Sequence, residues 1–173
     1  MNYYIISCRS GREDTVKAHL DRFFCQKEEA IVEVVIPKRK MIDRRRGEPL
    51  QNDHPILPGY ILLSSDDSLT PYIQDVRTLY ASYGFLRNLD NSIALKGPDY
   101  EYAKWILGNG GVIGPSKVVY TKGEPIKVID GPMKDFMGTI IAVDYRRARV
   151  KVEFEFDQVI RRVDLPVEFI SNE

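Results

Sequence analysis

Six cations fall within nine positions in Lys38-Arg39-Lys40 and Arg44-Arg45-Arg46, the densest basic run in the chain. Clustered Lys and Arg side chains neutralise phosphate oxygens and release condensed counterions, so the chemistry on offer is contact with a DNA or RNA backbone. Asp43, Glu48 and Asp53 dilute the run, and a solvated loop charged only for solubility has the same composition. A second row, Arg147, Arg149 and Lys151, alternates with Ala148, Val150 and Val152. Strand periodicity sends the two sets to opposite faces, so the apolar set lines a core and the cations meet solvent. Arg146, Arg161 and Arg162 extend the patch. Glu153 and Glu155 continue the same outward face, so cross-strand charge pairing stands beside RNA contact as the row's role.

Other chemistries find less support. His19 sits in a helical pattern and His54 in a loop, each alone, and no Ser/His/Asp or Cys/His arrangement is suggested. There is no Gly-rich phosphate loop, and no spacing of carboxylates singles out a general acid and base. No enzymatic activity and no cofactor are expected. Cys8 and Cys25 lack metal-site spacing, and two histidines cannot complete a zinc site. Two buried, reduced thiols of a cytoplasmic protein are expected. With 25 basic and 25 acidic residues, in sign balance on either side of residue 113, bulk charge does not advertise nucleic-acid binding, so local clusters must supply it. The chain has no 18-residue apolar stretch and no signal-peptide pattern, which predicts neither export nor membrane insertion.

These residues need elements to hold them. Tyr3-Tyr4-Ile5-Ile6 is a β-prone run, and Ser10 with Glu13 makes a capping-box pattern ahead of Val16, Leu20, Phe23 and Phe24 at helical spacing. Residues 30–37 read as a second strand, the polar, basic segment 38–53 as a flexible hairpin, and Tyr60-Ile61-Leu62-Leu63 as a third strand. Thr70-Pro71 opens a second helix with Ile73, Val76, Leu79 and Tyr80 on its buried side. Strands near Gly84-Phe85-Leu86 and Ile93-Ala94-Leu95 precede a helix from Gly97-Pro98 that carries Tyr102, Trp105, Ile106 and Leu107. This order predicts an α+β fold, helices packed on an antiparallel sheet. The Gly/Pro-rich stretch 109–119 reads as a linker between residues 1–108 and 120–173. Beyond it, short alternating strands near 126–129, 138–143, 150–156 and 163–165 are best closed as a small barrel.

Four motif segments in this order resemble the NusG family. They are Tyr3-Tyr4-Ile5-Ile6 with Ser10-Gly11-Arg12-Glu13; Val35-Ile36-Pro37, the basic hairpin and Pro58-Gly59-Tyr60-Ile61-Leu62; Val76-Arg77 with Gly84-Phe85-Leu86; and a KOW-like segment. The last runs from Gly123-Glu124-Pro125-Ile126-Lys127-Val128 through Gly131-Pro132, Phe136 and Gly138 to Asp144. The resemblance implies an N-terminal NGN-type α/β sandwich, a C-terminal SH3-like KOW β-barrel, and a monomeric transcription elongation factor. Tyr3, Leu57, Tyr60 and Phe85 would form an apolar surface for the clamp helices of the largest RNA polymerase subunit. Lys38, Arg39, Lys40, Arg44, Arg45 and Arg46 would face upstream or non-template DNA, while Arg147, Arg149, Lys151 and Arg162 would contact nascent RNA. Ile56-Leu57 stands where the family usually has Phe before Pro-Gly-Tyr. Phe156-Asp157-Gln158 replaces the family's Phe-Gly-Arg, which argues against contact with the ribosome or Rho. These departures resemble specialised antitermination paralogues of the LoaP or RfaH kind. A general elongation factor and a ribosome-associated KOW protein are the alternatives.

Overall fold

In the computed structural model, which describes residues 1–171, the apolar run at Tyr3 becomes β1 (Asn2–Cys8), an inner strand of the first sheet. The chain continues through α1 (Glu13–Cys25), β2 (Glu33–Val35), a hairpin of β3 (Lys38–Arg45) and β4 (Glu48–Pro55), and β5 (Tyr60–Ser65). A 3-10 turn (Thr70–Tyr72), α2 (Ile73–Thr78), β6 (Ser82–Phe85) and α3 (Gly97–Gly108) follow. The remainder is β7 (Val112–Ile113), β8 (Ser116–Val119), β9 (Lys127–Asp130), β10 (Thr139–Asp144), β11 (Arg149–Phe156) and β12 (Val159–Phe169). The chain divides into two compact units, Met1–Pro37 with Leu57–Lys104 and Lys38–Ile56 with Trp105–Glu173.

The first unit is the expected sandwich. Its antiparallel sheet runs β2-β5-β1-β6, with Ile6 opposite Ile61 and Tyr4 opposite Leu63. Because successive side chains alternate, Tyr4, Ile6, Cys8, Ile61 and Leu63 share one face. They join Val16, Leu20 and Phe24 of α1 and Val76 of α2 in one buried cluster. The capping box does not form. Helix α1 begins at Glu13 with Arg12 as its uncapped N-cap, and Gly11 turns the chain at φ +83°. Glu13 is instead buried, and its carboxylate accepts the Gly59 N–H at 2.6 Å. Residues Ile93–Leu95 are not a strand: Leu95 N–H donates a single bond to the Tyr3 carbonyl at 2.8 Å. Cys8 is buried as expected, but Cys25, at the end of α1, is exposed.

In the second unit the basic segment, expected as a flexible hairpin, is built of two regular strands. Those residues form a paired hairpin from Lys38 opposite Pro55 to Arg45 opposite Glu48, closed by Arg46 and Gly47 at φ 53° and 86°. Two positive φ values in a two-residue loop match the twist of paired strands. The stretch 109–119 contains two short strands: β7 lies parallel to β3, and β8 pairs with β9 and β12. A five-stranded sheet in the order β10-β11-β12-β8-β9 builds the rest. Val150, Val152, Phe154 and Phe156 of β11 are buried in strict alternation. Asp157 and Gln158, at φ 51° and 58°, join β11 to β12 in a tight turn.

The KOW-like residues pack as a unit. Gly131 turns at φ +100°, and a Cβ there would lie 2.7 Å from Ser116 Cα, so only glycine fits. The following Pro132 carbonyl accepts the Trp105 indole N–H at 2.8 Å. Phe136 sits between Trp105 and Phe154, with ring centroids at 4.7 and 5.6 Å.

Candidate nucleic-acid interface

Hairpin β3–β4 and the β10–β11 turn bring their cations together. A cleft of about 570 Å³ is lined by Ile42, Asp43, Arg44, Arg146, Arg147, Ala148 and Arg149. The hairpin is tied to β12 by Arg39, whose guanidinium donates to the Asp164 carbonyl. Within the hairpin, Asp43 accepts hydrogen bonds from Asn52 at 3.1 Å and His54 at 2.7 Å. Those bonds, Asn52 first, hold its carboxyl below the usual carboxylate range. Sequence reading missed this triad because the three residues become neighbours only once β3 and β4 pair.

The arginine row resolves into two groups. Arg147 lies in the turn, not on the strand: Ala148 is left-handed at φ 48°, and Arg147 N–H bonds Asp144 Oδ1 at 3.1 Å. Arg146 and Arg147 are exposed, with the Arg147 side chain 3.9 Å from Asp144. On β11, Arg149 and Lys151 both approach Asp164, at 3.8 and 3.5 Å. Arg162 pairs with Glu153 across β11 and β12 at 2.9 Å. Of the sequence-predicted set, Arg44, Arg147 and Arg149 therefore border the cleft, joined by Arg146. Arg149, Lys151 and Arg162 have carboxylates nearby. Lys38, Lys40, Arg45 and Arg46 lie along the hairpin outside the cleft lining, Arg45 and Arg46 exposed at its tip.

The expected apolar surface of the first unit is also divided. Tyr60 pairs with Ser7 and Tyr3 with Ser64, so the two tyrosines point to the same face of the sheet, opposite the core cluster. Tyr3 packs tilted against Tyr100, with ring centroids at 5.1 Å. Phe85 pairs with Ile6 and so faces the other way, 9% exposed and edge-on to Tyr4 at 6.0 Å. This corrects its placement on the surface: it is a core residue. Leu57 is buried, and exposed Pro58 follows it. Gly59 adopts φ +87°, where a Cβ would stand 3.0 Å from the Cys8 carbonyl oxygen. The Cys8 N–H donates to the Gly59 carbonyl at 2.8 Å, and Glu13 holds the Gly59 N–H. Pro58-Gly59 thus fixes where Tyr60 enters the sheet.

A family model described as "Transcription termination factor nusG" matches residues 1–101, more than half of the chain. The chain belongs to the NusG family. Among curated relatives, it is 29% identical to the Bacillus subtilis (strain 168) "Transcription termination/antitermination protein NusG", over 91% of this chain and 97% of that protein. It is 24% identical to the Pseudomonas aeruginosa protein of the same name, over 91% and 96% of the two chains. A solved structure described as "Domain interaction in Thermotoga maritima NusG" superposes with a TM-score of 0.63 at 24% identity, covering 95% of this chain and 93% of that one. That likeness is one of fold. Within the NusG family match fall Arg44 and the Pro58-Gly59-Tyr60 entry to β5, whereas Arg146 and Arg147 lie beyond it.

Proposed function

We propose that this chain is a transcription elongation factor that binds RNA polymerase through residues 1–108 and acts as a processive antiterminator of selected operons. Residues 109–119 connect this part to a KOW domain at 120–173 that contacts nascent RNA. The observation that carries the reading is the convergence of Arg44 from the hairpin and Arg146, Arg147 and Arg149 from the barrel on one cleft. Four guanidiniums around a concave surface suit a phosphate backbone, because each presents a fork of donors to phosphate oxygens. Tyr3 and Tyr60 are the residues proposed for the clamp helices, Leu57 being buried like Phe85. The hairpin tip, Arg45 and Arg46, is proposed for upstream or non-template DNA. The protein acts without enzymatic chemistry.

A general elongation factor whose barrel recruits proteins is the second reading. Val159 and Ile160, exposed beside the Asp157-Gln158 turn, favour it. Single-round transcription through an intrinsic terminator, with polymerase from the same organism, separates the two. Greater read-through only on particular leaders, lost in an Arg44→Ala/Arg147→Ala variant, is the expected result. Equal effects on every template, unchanged in that variant, return the protein to the general role.

A further inference from the structure

Beside the arginines, the barrel carries an aromatic row that the packing of its core does not require. Phe169, at the end of β12, stands between Tyr145 and Tyr120, with ring centroids at 4.6 and 6.3 Å. Tyr145 is 64% exposed and Tyr120 37%. A shallow cleft of about 270 Å³, bordered by Val119, Tyr120, Thr121, Tyr145, Phe169 and Ile170, opens onto these rings. The backbone around it is pinned: Ile170 N–H donates to the Val118 carbonyl at 2.9 Å, and Val167 N–H to that of Ala148 at 3.0 Å. A single exposed tyrosine means little. Here three rings border one recess, and the outermost is followed directly in the chain by exposed Arg146 and Arg147.

We propose that this recess is a stacking site for an unpaired RNA base, with Tyr145 as its platform and the flanking phosphates held by Arg146 and Arg147. The charge beside the rings chooses the occupant. An apolar peptide side chain would gain nothing from two adjacent guanidiniums, whereas a polynucleotide presents a π-face and an anion at every residue. A base in duplex has no free face to offer, so the site reads single-stranded or looped RNA and not paired stems. At the β10–β11 turn consecutive residues serve the two clefts: Tyr145 borders the aromatic one, Arg146 and Arg147 the basic one. The inference rests on the reading that this unit contacts RNA.

The test uses the full chain, a fluorescein-labelled oligouridylate of about twelve nucleotides, and a blunt RNA duplex of the same length. The oligouridylate is expected to bind more tightly than the duplex at equal salt. Tyr145→Ala should weaken it about tenfold and leave the salt dependence unchanged, while Tyr145→Phe stays near the parent, since stacking needs the ring and not the hydroxyl. A 2-aminopurine placed within the strand should be quenched on binding to the parent and not to Tyr145→Ala. An Arg146→Ala/Arg147→Ala variant should lose affinity for both RNAs and lower the salt slope by roughly 1 to 1.5. Thermal melts of the variants confirm that each is folded. If Tyr145→Ala binds like the parent while the double arginine variant weakens, the base site is overturned and RNA contact stands. If the parent binds neither RNA at low salt, both readings fall. Equal losses in Tyr145→Phe and Tyr145→Ala overturn stacking.

Discussion

At the scale of single residues, the fold decides chemistry that spacing left open. Cys8 lies buried beside Glu13, and burial first, then that carboxylate, pushes its thiol up to about 11. Its folded pKa is thus raised above the ordinary thiol value of roughly 8.5. The stability linked to it is fully present below that value and is lost as pH climbs toward 11. Thiol titration of the native protein at pH 8 is therefore expected to modify exposed Cys25 promptly and Cys8 only on unfolding; prompt modification of two thiols would contradict the burial. Phe85 gives a second residue-level expectation. Its place against Tyr4 predicts that Phe85→Asp destabilises by about 3 kcal/mol or more, a buried charge added to a lost ring. Tyr60→Ala, on the opposite face, should cost well under half of that in the same urea titration. Periodicity could not separate these two aromatics, because the face of a short strand depends on its register with β1, which no local pattern contains.

Elements show why some of the fold was legible and some not. Helix α1, the β1 and β5 strands and the alternating β11 were readable because each has a local period that burial then uses. The basic hairpin could be named but its strand pairing could not: its residues are mostly polar on both faces, and it is held by cross-strand partners such as Asp43 with Asn52 and His54. Since those partners depress the Asp43 pKa, their contribution is present above the ordinary Asp value near 4 and is lost as pH falls below it. Amide exchange in β3 and β4 should accelerate selectively as pH is lowered through that range, after correction for intrinsic rates, and Asp43→Asn should remove the pH dependence. In the barrel, the expected glycine signature has a steric cause. A Cβ on Gly138 would stand 2.4 Å from Phe136 Cε1 and 2.5 Å from the Glu153 carbonyl oxygen. Gly138→Ala is predicted to cost about 2 kcal/mol, read as a lowered Tm, because the clash includes backbone that cannot move aside.

For the whole molecule, the notable fact is that neither unit is continuous in sequence: the first is interrupted by residues 38–56, which belong with 105–173. A cut at residue 113 therefore removes β12 and with it the Asp164 carbonyl to which Arg39 is bound. The fragment 1–113 is expected to keep the first sheet but to show fast amide exchange throughout β3 and β4, and protection equal to that of the full chain would contradict this division. Candidate sites were legible to the same degree as the connections behind them. The cations could be named from their clustering, yet the joining of Arg44 with Arg146 and Arg147 depends on a pairing between distant segments that no window along the chain contains. That distance has a consequence in time. Arg39 and Asp164 are 125 residues apart, and synthesis at about 5–20 residues per second separates their emergence by roughly 6 to 25 s. Until the last strand leaves the ribosome the basic hairpin waits without its scaffold, so a nascent chain holds no assembled arginine cleft with which to capture the transcripts around it.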